Sequence, residues 1–147
     1  MVAAPLLAAG EAGAFCIENA IPGRVVQATL APPGPQRGAR LFGGPVEFGK
    51  QSCCNPRNAE CNPDNVPDDG VLYFRARIEA AGPARAVVCG AWSDPQQPVL
   101  YTPARGYLRF EVNAAFKAQR PPSLVNPSFV VRVLDIDRRP IVELPCA

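Results

Sequence analysis

Two stretches of the chain alternate apolar and polar residues with a period of two. In Val71 to Ala80, Leu72, Phe74, Ala76 and Ile78 fall on one side, and Tyr73, Arg75, Arg77 and Glu79 on the other. In Tyr107 to Ala114, Leu108, Phe110, Val112 and Ala114 oppose Tyr107, Arg109, Glu111 and Asn113. Successive side chains of a strand point to opposite faces, so each run predicts a strand with one dry face and one wet face. Antiparallel sheets are built this way. Less regular runs predict further strands at Phe15 to Asn19, Arg24 to Leu30, Pro45 to Phe48, Ala84 to Cys89, Pro98 to Tyr101, Phe129 to Ile136 and Ile141 to Leu144. Connectors rich in Pro, Gly, Asn and Asp separate them. No segment carries convincing helical periodicity. The expected fold is all-β, an antiparallel β-sandwich of eight or nine short strands with long Pro/Asn-rich loops.

Composition sharpens this picture in two places. Eighteen prolines forbid long helices, because each removes a backbone donor and fixes φ. The absence of histidine removes the side chain most used for proton transfer near neutral pH and the commonest zinc ligand. A net charge of +2, with arginines scattered along the chain, argues against a nucleic-acid partner.

The six cysteines are Cys16, Cys53, Cys54, Cys61, Cys89 and Cys146. Their even number and the lack of a C-x-x-C pair or histidine point to three disulfides rather than a metal site. The adjacent Cys53 and Cys54 should face opposite ways on a strand. The expected pairing joins Cys61 to Cys53 or Cys54, the other of those two to Cys89, and Cys16 to Cys146. Disulfides imply an extracellular or periplasmic location. The apolar Met1 to Ala9, followed by Ala12-Gly13-Ala14, reads as a shortened signal peptide over residues 1–14, leaving residues 15–147 as a single domain. No other stretch is long and apolar enough to span a membrane.

Candidate chemistry is sparse. Asn62, Asp64, Asn65, Asp68 and Asp69 offer oxygen ligands for calcium, with Asp64, Asp68 and Asp69 as the carboxylates. Their spacing is not that of an EF-hand, and turn-forming hydrogen bonds explain the same residues, so no cofactor is required. Asp135 and Asp137 beside Arg138 and Arg139 fit a capped or salt-bridged hairpin. No phosphate-binding glycine loop and no serine-hydrolase motif occur.

The polar strand faces are more suggestive. Tyr73, Arg75 and Arg77 on one strand and Tyr107 and Arg109 on another resemble a recognition surface, because both residue types give large contact area with polar tips. Pairing with Glu79 and Glu111 is the plainer alternative. Trp92 either packs against a disulfide or serves as an exposed platform. The expected function is an exported, non-catalytic binding or accessory domain for a protein or a cell-surface polymer. The alternatives are a subunit of an extracellular filament or other homo-oligomer, with Phe15 to Ile21 as a strand to donate, and a carboxylate hydrolase or thiol-redox protein.

Overall fold

The computed structural model describes residues 14–31, 41–80, 86–90 and 99–147. The signal-like residues 1–13 and Trp92 lie outside them. The described residues form ten strands: β1 (Phe15–Asn19), β2 (Val25–Leu30), β3 (Gly43–Glu47), β4 (Gln51–Cys54), β5 (Val71–Ile78), β6 (Val87–Cys89), β7 (Leu100–Pro103), β8 (Tyr107–Val112), β9 (Phe129–Leu134) and β10 (Pro140–Cys146). No helix is present among the described residues, as the proline content demands.

The strands make one sheet in the order β3-β2-β5-β6-β10-β9-β8-β1-β4, with β7 pairing the first half of β5. The sheet rolls nearly into a barrel, and its geometry follows from one long bent hairpin. β1 pairs with β4 and β2 pairs with β3, both antiparallel, so residues 15–30 and 43–54 form a single ribbon. The ribbon bends between Asn19 and Val25. One arm lies beside β8 and the other beside β5. A strand that turns such a corner passes from one packed layer to the next. This feature merges the expected sandwich into a near-barrel. The expected antiparallel sheet is also corrected at one place: β1 runs parallel to β8, Cys16 facing Tyr107 and Asn19 facing Phe110. The hydrogen-bonded sheet is therefore mixed.

Asn19 holds the corner. It is buried, and its side-chain Nδ2 donates to Arg24 O at 2.8 Å and Val46 O at 2.9 Å. Its Oδ1 accepts from Ile21 N at 2.8 Å. Its backbone N–H donates to Lys50 O, and its carbonyl accepts from Gly49 N. The bend thus exposes backbone groups that would lack sheet partners, and one amide side chain satisfies three of them.

The interior is filled by the alternating apolar residues read from the sequence. Leu72, Phe74, Ala76 and Ile78 of β5 and Leu108 and Phe110 of β8 are buried. Phe15 meets Phe74 and Phe42 edge-on, with centroids 5.2 and 5.3 Å apart. All of β1 is buried between β8 and β4, so Phe15–Asn19 is an internal strand of this sheet.

Three disulfides close the fold, as expected from the cysteine count, and all six cysteines take part. Cys54 bonds Cys61, one of the anticipated pairs. The other two pairings are corrected to Cys16–Cys53 and Cys89–Cys146. Each joins residues directly opposed on antiparallel neighbours, with Cα atoms 4.0 Å apart. Cys16 cannot reach Cys146 because β8 and β9 lie between their strands. Cys53 and Cys54 do face opposite ways, one across the sheet and one into the loop. Three disulfides fit an oxidising environment. Among the described residues no helix is long and apolar enough to cross a membrane.

Candidate functional site

The two polar faces singled out in the sequence lie on different parts of the sheet. β6, β10 and β9 separate β5 from β8 along the strand order. Tyr73, Arg75 and Arg77 therefore do not join Tyr107 and Arg109 in one patch, and each group has its own surroundings.

The β8 face is an ion-pair network. Glu18 of β1 is buried, and Arg138 donates to both its oxygens, at 3.1 and 2.5 Å. Arg109 reaches the same carboxylate at 3.3 Å and donates to Glu111 at 2.8 Å. Glu111 also takes Arg132 at 2.8 Å. The Arg138 guanidinium stacks 4.1 Å above the Tyr107 ring. Hydrogen bonding to Glu18 raises the Arg138 pKa above its ordinary value, against a smaller opposing effect of burial. Arg138 itself adopts φ 61° in the turn after β9, where Asp135 Oδ1 accepts from the backbone N–H of Asp137 and Arg139. The aspartate thus caps the hairpin, and the turn aims Arg138 back at Glu18. Here Arg109 and Arg138 serve the fold: they neutralise a carboxylate that would be costly to bury alone, and the Tyr107 ring supports the Arg138 guanidinium. Replacing Glu18 with alanine is expected to lower stability by about 1–2 kcal/mol, because the half-exposed arginines regain water. Urea unfolding measures it, and a larger loss than that of Asn19→Ala would contradict the assignment.

The β5 face is different. Tyr73 lies directly opposite Tyr101 of β7; Tyr73 is exposed, and Tyr101 is half-buried and packs in part against the core. Arg75 lies opposite Thr29, and Arg77 opposite Gln27 and Val88. Arg77 donates to Glu79 at 3.2 Å, so Glu79 is paired as the sequence allows, but along the same face two residues on rather than across strands. Arg75 is exposed and has no acidic partner among the described residues. Tyr101, Pro103 and Arg105 continue the outward side past the end of β7. Tyr101 and Arg105 were not singled out in the sequence, although the alternation Tyr-Thr-Pro-Ala-Arg carries their direction.

The Pro/Asn-rich loop lies at that end. Asn62 is buried, donates to Val66 O at 2.8 Å and accepts from Val66 N at 2.7 Å, a side-chain-closed turn. Asp68 pairs with Arg105 at 2.9 Å. Two of the residues considered for calcium are thus engaged by protein groups, and Asp69 is exposed. Cys54, Glu60 and Cys61 bring three ligand-type atoms together, but both sulfurs are in the disulfide. A cleft of about 300 Å³ opens between this loop and Arg105, with Arg57 on its rim.

Comparison with protein-family models, with curated proteins and with solved structures finds no match for the chain.

Proposed function

We propose that this protein is an exported, non-catalytic binding domain, extracellular or periplasmic, whose outward β5–β7 face holds an acidic surface polysaccharide. The observation that carries the reading is the directly opposed pair Tyr73 and Tyr101 beside Arg75, which has no acidic partner among the described residues. A sugar ring presents C–H groups on its face and hydroxyls around its edge. Tyrosine rings flanked by Thr29, Gln27 and Arg75 match both, and a guanidinium grips a carboxylate in bidentate fashion. A protein partner would call for an apolar centre to the patch; here the row next to the tyrosines is Arg75 with Thr29, and the exposed Val71 and Val88 lie at opposite ends of the face. The chain's lack of histidine supports binding over catalysis, and the three disulfides support a site outside the cytosol.

Co-sedimentation with polygalacturonate tests the proposal. Tyr73→Ala should weaken retention about three- to tenfold, the value of one aromatic contact. Arg75→Glu should weaken it further, with a slope on added salt that disappears. Undiminished retention by both variants, or retention of acidic proteins in place of the polysaccharide, would overturn it.

A further inference from the structure

The cleft at the end of the β5–β7 face has a chemistry of its own, and we infer that it is an oxyanion subsite. Its biological ligand, an acidic group of the polymer, rests on the reading above; its chemistry does not. Two arginines, Arg57 and Arg105, line the cleft. Arg57 is exposed and has no acidic partner among the described residues. Arg105 makes one charged contact among the described residues, its Nη2 to Asp68 at 2.9 Å. A guanidinium carries five donors, and Nε of Arg105 is buried with no acceptor among the described residues. Nε is sealed from the cleft, so a ligand there would meet the terminal nitrogens of Arg105, one of which Asp68 already holds. Asn55 and Asn65 line the same cleft and add neutral polar groups.

The cleft is rigidly framed. Cys54–Cys61 closes one side of the loop, Asn62 locks its turn to Val66, and Ala104 N donates to Gly70 O where the loop meets the end of β7. Its volume suits a single sugar acid or an inorganic anion rather than a long chain. Asp68 is the one carboxylate bordering it among the described residues, and it already occupies part of the Arg105 fork. Asp68 therefore acts as a built-in competitor: it shows the group that Arg105 accepts, and its removal should open the place to a ligand.

That reversal supplies the test. Galacturonate, sulfate and phosphate are titrated separately into the full chain, followed by the Nε–H resonances of Arg57 and Arg105. Saturable shifts at both arginines are expected. Asp68→Asn should tighten binding roughly threefold and Arg57→Ala should weaken it roughly threefold, the scale of one partly exposed charge contact. A merely structural Asp68 would lower stability without raising affinity, so unchanged affinity in Asp68→Asn overturns the proposal. So does the absence of shifts with all three anions in both the parent chain and Asp68→Asn. Preference for galacturonate supports a carboxylate ligand, and preference for sulfate or phosphate supports an ester of that kind. Tyr73→Ala should leave these small-anion titrations unchanged, so failure of the polysaccharide reading and failure of the cleft are read separately.

Discussion

Replacing Cys89 and Cys146 together by alanine is expected to lower the unfolding free energy by about 4 kcal/mol, the value for cross-linking a loop of their spacing. The bridge closes a separation of 57 residues, against 37 for Cys16–Cys53 and 7 for Cys54–Cys61. Chain entropy alone therefore ranks it first and the short loop last, at about 2 kcal/mol. Position adds to this ranking. β6 meets β10 through one register pair, Cys89 opposite Cys146, supported by backbone bonds from Gly90 N to Pro145 O and from Ala147 N to Val88 O. The covalent link thus sits at the narrowest join in the sheet. A domain of this size is stable by only about 5–15 kcal/mol in total. Guanidinium unfolding of the three double-alanine variants measures the order. A Cys54/Cys61 variant that loses more than the Cys89/Cys146 variant would refute it.

Asn19→Ala should cost about 2–4 kcal/mol, because it removes three buried hydrogen bonds and strands their partners. Those partners are the carbonyls of Arg24 and Val46 and the N–H of Ile21, all at the bend of the long hairpin. No sheet ladder is available there to replace them. The loss should come with a smaller dependence of unfolding on denaturant if the corner loosens in the folded state. Urea titration checks both. A change within about 0.5 kcal/mol, ordinary for an exposed position, would show that the bend is held by something else.

Much of the fold was legible because it rests on period-two patterning. The alternation in β5 named its four buried residues correctly, and in β8 it named Leu108 and Phe110, but Val112 and Ala114, read onto the same dry side, are exposed because the strand ends at Val112. β4 was missed as a strand. Gln51-Ser52-Cys53-Cys54 shows no apolar alternation, because its side chains lie at an edge and two are consumed in bridges. Without β4, nothing in the sequence places Cys53 opposite Cys16, so two disulfides were misassigned. The parallel β1–β8 pair was equally hidden. β1 is buried on both sides, and burial alone does not encode which way a neighbour runs. The residue types of the candidate site were visible, but their grouping depends on strand order. Arg109 and Tyr107 looked like partners of Tyr73 and Arg75, yet Glu18, an unremarkable acid between Ile17 and Asn19, recruits Arg109 and Arg138 to the other face. Arg57 and Arg105 stood alone in the sequence because folding of the loop, not spacing, brings them to one cleft.

The parallel contact between the first strand and the eighth also has a kinetic meaning. Cys16 to Asn19 find Tyr107 to Phe110 only after most of the chain is available, and such distant pairings slow folding, because loop entropy is lost before the contact forms. The hairpin of β9 and β10 is local and can form early. Cylinder closure is then a late event. Until it happens, the side of β8 that will receive the first strand is an open template for other chains, so dilute conditions and early oxidation of Cys16 with Cys53 should favour recovery of native material after denaturation.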